Sequence, residues 1–274
     1  MMELFLFAVS GFNMVYYVIL VIFTDAAWMT QIYWPVSAVV FTLLGLILKA
    51  DRKRKQEHRR CMSLELRTVI CTSCGLYFLM VGFFTVMIFM QAFSVSPVDV
   101  DYLIFIENGD VETTLTESDY NALKCTVGYM KKHEDTSVVL AGCSRFRDME
   151  VDESGLQDLM KSYLLNHGIS RDRIITEEIS SNLRQNITYS YAYILVDWYG
   201  KDADRTAEPT VGVVAESVSV WRYRTIIGAL GNVSRHMEII SYHEPVLTWP
   251  ARIMEEIRLI IRYHLINQFE YNPS

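Results

Sequence analysis

Three long stretches of apolar residues occupy the first third of the chain. They cover residues 4–24, 28–48 and 68–93, and none of them contains Asp, Glu, Lys or Arg. A helix of about 20 apolar residues crosses the hydrocarbon core of a bilayer, so each stretch predicts a transmembrane helix. The first stretch lacks the basic start and the small-residue cleavage site of a signal peptide, and we interpret it as a retained anchor.

The rest of the chain alternates between short β-rich runs and helical stretches. Apolar residues at helical spacing, such as Ile253, Ile257 and Ile260, mark the last helix. Ser180 or Ser181 is expected to cap the third of these helices, with Gly200 after its end. The predicted strands cover residues 101–107, 136–142, 172–178, 210–216 and 236–242, and the predicted helices cover residues 117–133, 152–167, 183–199, 219–230 and 250–268.

This alternation is typical of an α/β domain. Five strands separated by helices predict a Rossmann-like, doubly wound parallel sheet that is covered by helices on both faces. The sequence therefore predicts a membrane region over residues 1–97, with three transmembrane helices, and an α/β domain over residues 98–274.

Charge is divided unevenly between these two regions. Residues 1–97 carry 8 basic and 5 acidic side chains, whereas residues 98–274 carry 17 and 27. Seven of the 8 basic residues lie between Lys49 and Arg60, in the predicted loop between the second and third spans. Because short basic loops stay in the cytoplasm, we expect a multi-pass plasma-membrane protein whose C-terminal domain is extracytoplasmic. The lipid bilayer is thus an expected partner, and the basic loop is placed to touch anionic head groups.

Composition excludes several classes of protein. A net charge of −7 argues against a nucleic-acid partner, and 5 cysteines in 274 residues are too few for a disulfide scaffold. Cys71 and Cys74 lie within the third span, where small residues pack helices together. Cys125 and Cys143 lie in the outer domain, where they either pair or remain buried free thiols. The 6 histidines show no metal-ligand spacing, so no metal site is predicted.

Polar residues cluster where the predicted strands end. In a parallel sheet the carboxyl ends of all strands lie at one edge, and ligands bind there. Helix N-termini at this edge, together with arginines, favour an anionic ligand. The alternative is that these residues only cap helices and cover the surface. The candidate ligand-binding residues are Asn108, Gly109, Asp110, Gly142, Ser144, Arg145, Glu177, Ser180, Asn182, Asn186 and Arg222.

Arg222 is the strongest of these candidates, since it is predicted to lie just inside the helix after the fourth strand. A guanidinium at that place and the helix N-terminus both favour negative charge. The alternative is that Arg222 pairs with Glu216 or Asp110 and only braces the edge. His243, followed by Glu244, forms the only histidine–carboxylate pair near this edge of the predicted sheet.

The stretch GISRDRIITEEISSNLRQNITYS, which begins at Gly168, resembles the signature of the YdcF-like family of extracytoplasmic envelope proteins related to SanA and ElyC. The resemblance extends over residues 99–268 and implies a membrane-anchored α/β domain. It also implies a role in envelope biogenesis or barrier maintenance, with an anionic small molecule or a lipid-linked envelope precursor as partner. The residues that match the signature are Gly168, Ile169, Ile174, Glu177, Ser180, Asn182 and Asn186.

The chain also departs from that family pattern. Ser219 stands where the family has a histidine, Gln185 stands where it has a glutamate, and Arg222 is retained. The best general acid–base candidates are thereby lost, and the sequence identifies neither a cofactor nor an oligomeric state. Two interpretations follow: a module that binds a phosphate-bearing or nucleotide-like ligand, with slow catalysis at most, or a non-catalytic membrane scaffold.

Overall fold

The computed structural model describes residues 2–23, 32–57, 62–95, 98–106, 115–141, 154–180, 182–202 and 206–270. The chain divides into two compact units, Met1–Phe84 and Thr85–Ser274. The boundary between them falls inside the third helix, so the last turns of that helix belong to the second unit.

Three apolar helices form the N-terminal part of the chain: α1 (Met2–Phe23), α2 (Tyr33–Gln56) and α3 (Leu64–Ala92). All three are long and apolar enough to cross a membrane. The second predicted span, residues 28–48, corresponds to α2, which begins at Tyr33 and continues through the basic segment to Gln56; residues 28–31 lie outside the described part of the chain. The segment predicted as a loop from Lys49 is therefore helical in its first half, since Lys, Arg and Gln are good helix formers.

Polar side chains join α1 to α2 within the first unit. Ser10 Oγ donates to the Ala38 carbonyl at 2.8 Å, and Asn13 Nδ2 donates to Ser37 Oγ at 2.8 Å. Hydrogen bonds between apolar helices are a usual device of membrane bundles, where no water competes for the donors. At one end of the pair, Arg52 forms an ion pair with Glu3, which lies in the first turn of α1.

The second unit contains a sheet of five parallel strands, as predicted. They are β1 (Tyr102–Ile106), β2 (Ser137–Ala141), β3 (Ile174–Glu177), β4 (Val211–Glu216) and β5 (Met237–Tyr242). Their order in the sheet is β3-β2-β1-β4-β5, so the chain changes direction across the sheet between β1 and β4. Strand β3 is shorter than predicted, because Arg171–Arg173 form a 3-10 turn before it.

Helices pack against both faces of this sheet. Leu103 and Phe105 point into a core that includes side chains of α4 (Glu117–Lys132) and α5 (Ser154–Asn166). Ile104 and Ile106 point to the opposite face, which α6 (Leu183–Lys201) and α7 (Val220–Gly228) cover. Strands β1, β2 and β4 are buried on both sides, which explains why they read as nearly continuous apolar runs. The chain ends in α8 (Trp249–Glu270).

Local signals set the helix ends. Thr116 and Asp119 form a capping box at the start of α4. Gly168 follows α5 with a φ of 86°, a left-handed conformation that favours glycine. The prediction that Ser180 caps α6 was wrong: Asn182 is the cap, because its side chain reaches the Gln185 amide at 3.0 Å. The helix also runs through Gly200 instead of ending before it. Ser181 lies outside the described residues.

Candidate functional site

The carboxyl edge of the sheet is where the candidate residues were expected. In doubly wound sheets a ligand crevice opens where the strand order reverses, which here is between β1 and β4. The segments that follow β1 and β2 carry Asn108, Gly109, Asp110, Gly142, Ser144 and Arg145, and these six candidates lie outside the described residues. The other five candidates fall into two separate groups at the ends of β3 and β4.

The first group, which we call the β3 turn, consists of Glu177, Ser180 and Asn186. Glu177 is fully buried, and its Oε1 accepts the backbone N–H groups of Ile179 at 2.6 Å and Ser180 at 2.9 Å. The Ser180 hydroxyl donates to the other Glu177 oxygen and hydrogen-bonds with the Asn186 side chain. Polar side-chain atoms of these three residues are therefore hydrogen-bonded to one another and to the backbone of the turn.

Nearby contacts hold the β3 turn in place. The side-chain amide of Gln157, on α5, donates to the Glu177 carbonyl at 2.8 Å. Asn182 caps α6, and its carbonyl accepts the Asn186 amide at 2.8 Å. Four of the residues that match the family signature, Glu177, Ser180, Asn182 and Asn186, thus form hydrogen bonds within this segment and fix the connection between β3 and α6.

The second group begins with a brace between α7 and α8. Arg222 donates to both oxygens of Glu256, from Nε at 2.9 Å and from a terminal nitrogen at 2.8 Å. Ser219 Oγ donates to the same carboxylate at 2.6 Å. Burial lowers the pKa of the Arg222 guanidinium, but the Glu256 carboxylate more than offsets this effect, so the pKa is raised overall. Arg222 is therefore a charged brace whose partner is Glu256. The alternative prediction had named Glu216 or Asp110 as partners, and Asp110 lies outside the described residues.

Beside the brace lie three buried residues that we call the β4–β5 rim: Glu216, Ser217 and Glu244. Glu216 ends β4, Ser217 follows it, and Glu244 lies two residues after the end of β5. Each has a buried polar atom without a hydrogen-bond partner among the described residues, namely Glu216 Oε1, Ser217 Oγ and Glu244 Oε1. Glu244 Oε2 accepts from Asn121 Nδ2 at 2.9 Å, so one oxygen of this carboxylate has a hydrogen-bond partner and the other has none among the described residues.

The rim is electrostatically unusual because it buries acidic groups together. Burial, together with the neighbouring carboxylates of Glu244 and Glu256, raises the pKa of Glu216 to about 7. The positive charge of Arg252, whose Nε lies 3.9 Å from Glu216 Oε2, lowers the pKa and opposes this shift. Burial also raises the pKa of the Tyr242 phenol. A carboxyl group whose pKa is near neutral is of the kind suited to proton transfer.

An unpaired polar atom in a protein interior costs free energy unless a partner is supplied. The rim offers two carboxylate oxygens that accept hydrogen bonds and one hydroxyl that donates or accepts. Groups that bring hydrogen-bond donors, such as the hydroxyls of a sugar or polyol, match this set. Among the described residues there is no group of three or more His, Cys, Asp or Glu side chains that could hold a metal ion.

Sequence reasoning left Glu216 and Glu244 out of the candidate set and missed Glu256. A signal for Glu256 was present, because it lies on the same helical face as Ile253, Ile257 and Ile260, which are all buried. His243 is exposed, unlike its neighbour Glu244. Cys125 is a free thiol, and Cys143 lies outside the described residues.

Comparison with other proteins adds no further identification. No family model matches the chain, and no curated protein or solved structure is significantly similar to it.

Proposed function

We propose that this chain is a multi-pass plasma-membrane protein whose Rossmann-like domain lies outside the cytoplasm and binds a small phosphate-bearing ligand at the β4–β5 rim. The observation that carries the proposal is the set of buried polar atoms on Glu216, Ser217 and Glu244 that have no hydrogen-bond partner among the described residues. The resemblance to the YdcF-like family adds the biological setting, namely envelope biogenesis or barrier maintenance.

The membrane part of the proposal is supported by the surfaces of the three apolar helices. Large apolar side chains remain exposed along each of them, including Phe12 at 58%, Leu43 at 54% and Leu79 at 71%. Contiguous apolar surfaces of this kind are favourable in the hydrocarbon of a bilayer and unfavourable in water. The Arg52–Glu3 ion pair brings the basic end of α2 to the start of α1, so both belong on the cytoplasmic side under the positive-inside rule.

The ligand part combines two kinds of group. The rim accepts hydrogen bonds, so it suits the hydroxyl groups of a sugar, a ribose or a polyol. A phosphate needs donors and positive charge, for which the chain offers Ser144 and Arg145 after β2. A phosphosugar, a nucleotide-like molecule or a lipid-linked envelope precursor carries both kinds of group.

A non-catalytic scaffold is the second candidate function. Two observations favour it: the β3 turn is closed on itself, and both oxygens of Glu256 are engaged with Arg222. Under this alternative the domain keeps a rigid carboxyl edge that contacts another protein, and the rim has no ligand.

The test is binding of two probes, glucose 1-phosphate and a polyprenyl phosphate, to the full chain in lipid nanodiscs. We expect at least one probe to bind the unmodified protein and Glu216→Gln to weaken binding about tenfold or more, as loss of a charged hydrogen-bond partner does. The matched control is Glu238→Gln, which changes an exposed carboxylate at the other end of the β4–β5 pair. Equal binding by both variants, or binding of neither probe, would favour the scaffold.

The orientation has its own test. Lys132→Cys places a thiol at an exposed position of the α/β domain, and Lys53→Cys places one at an exposed position of α2. An impermeant maleimide applied to intact cells should label the first and spare the second. The reverse pattern would place the domain inside the cell.

A further inference from the structure

One apolar segment of the second unit lies outside its core. The segment runs from Pro245 to Trp249 and connects β5 to α8. Val246 is 76% exposed and Leu247 is 45% exposed, which is unusual for adjacent aliphatic residues in a water-exposed loop.

The ring of Trp249 connects this segment to the end of α3 through aromatic contacts. This ring lies 5.4 Å from the Phe89 ring and 6.4 Å from the Phe93 ring, measured between centroids. Both phenylalanines belong to the second unit, and they lie in and directly after the last turn of an apolar helix. Phe93 is itself 69% exposed. Exposed apolar side chains therefore continue from the end of α3 onto the segment.

Trp249 also has a polar contact on its other side. Its indole Nε1 donates to the Glu244 carbonyl at 3.0 Å. A tryptophan with an apolar ring surface and a hydrogen-bonded N–H is the residue type that anchors proteins at the boundary between hydrocarbon and head groups. Arg224 adds a long cationic side chain nearby, where it hydrogen-bonds with Gln91 and Ser94.

We propose that the segment Pro245–Trp249 lies in the head-group region of the bilayer and holds the β4–β5 rim at the membrane surface. The bilayer is the partner that this surface fits, because the segment continues the apolar surface of a helix long enough to span a membrane. Glu244 precedes the segment by one residue, so under this proposal the rim lies beside the lipid surface. The inference rests on the membrane part of the proposed function, and it favours a ligand that is itself carried by the bilayer.

The test uses the full chain, without its own cysteines, in nanodiscs of neutral phospholipid. A spin label is attached at Val246→Cys and, as the matched control, at Lys132→Cys, an exposed site at the amino edge of the sheet. We expect the label at position 246 to be more accessible to oxygen, which concentrates in lipid, than to a water-soluble nickel complex. The label at position 132 should show the opposite preference. Equal preference for the nickel complex at both sites would overturn the proposal.

A second measurement does not depend on removing cysteines. Brominated lipids should quench the tryptophan fluorescence of the unmodified chain more strongly than that of Trp249→Phe, since the removed ring lies at head-group depth. An unchanged quenched fraction would also overturn the proposal. Binding of the polyprenyl phosphate is measured in the same samples. If the polyprenyl phosphate binds but position 246 is exposed to water, only the proposed membrane contact is refuted. If position 246 is exposed to lipid but the polyprenyl phosphate does not bind, only the proposed ligand is refuted.

Discussion

The β3 turn and the β4–β5 rim lie at the same edge of one sheet, and both bury a glutamate that ends a strand. At the β3 turn, the Glu177 carboxylate accepts two backbone N–H groups and a hydroxyl. At the rim, Glu216 Oε1 has no partner among the described residues, and the nearest cation to its other oxygen lies 3.9 Å away. The two glutamates are about equally buried, so burial alone does not distinguish them.

The difference separates a carboxylate that stabilises the fold from one that we propose to bind a ligand. A buried charge whose hydrogen bonds are all made within the fold stabilises that fold. A buried carboxyl left without donors costs stability, and such a cost is typical of sites that are completed by a ligand. Three of the residues that match the family signature form the β3 turn, whereas the unpartnered polar atoms of Glu216, Ser217 and Glu244 among the described residues lie at the rim.

The largest expected effect concerns the brace beside the rim. Arg222→Ala leaves Glu256 buried without its cation, so we expect a loss of about 3–5 kcal/mol in the free energy of unfolding. The double variant Arg222→Ala with Glu256→Gln should recover part of this loss, since the unpaired charge is removed. The measurement is denaturant unfolding of the full chain in detergent, followed by tryptophan fluorescence. A small loss in the single variant would show that Arg222 is available to a ligand.

The next prediction uses the raised pKa of Glu216, about 7 against an ordinary value of 4.5. The folded protein holds the proton more tightly than the unfolded chain, so its stability falls as pH rises from about 4.5 to 7. The shift corresponds to a loss of about 3 kcal/mol at most, fully developed above pH 7. Glu216→Gln should flatten this pH dependence, which unfolding at pH 5 and pH 8 measures. Glu238→Gln serves as the control and should leave the slope unchanged.

The smallest expected change in stability distinguishes two buried serines, one at the β3 turn and one at the rim. Ser180 and Ser217 are both buried, yet only Ser180 has partners among the described residues. Ser180→Ala should lower the free energy of unfolding by about 1–3 kcal/mol, because it leaves Glu177 short of a donor. Ser217→Ala breaks no hydrogen bond among the described residues and should change stability by about 0.5 kcal/mol or less. Similar losses in both variants would remove the distinction between the turn and the rim.

The sequence predicts the strands of this sheet well, and physical reasons explain why. Parallel strands covered on both faces are continuous apolar runs, as in Tyr102–Ile106 and residues 138–141, and such runs are visible without knowledge of the partners. Glu177, Ser180 and Asn186 could also be grouped in advance, since they lie within ten residues of one another along the chain.

The contacts of Arg222 could not be predicted from the sequence in the same way. Its partner Glu256 is 34 residues away in the sequence and comes from the packing of α8 on α7, which no local pattern specifies. The rim was missed for a related reason. Glu216 and Glu244 meet because β4 and β5 are neighbours in register, and the missing hydrogen bonds become apparent only after all other contacts are placed.

The most direct test of the account measures binding of the polyprenyl phosphate to Ser180→Ala and Ser217→Ala, each in the full chain in nanodiscs. The account predicts that Ser180→Ala unfolds at a lower temperature but keeps the affinity of the unmodified protein. It predicts that Ser217→Ala unfolds normally and binds about tenfold more weakly, as expected for one lost hydrogen bond. Unchanged affinity in Ser217→Ala, with reduced affinity in Ser180→Ala, would contradict the account and place the site at the β3 turn.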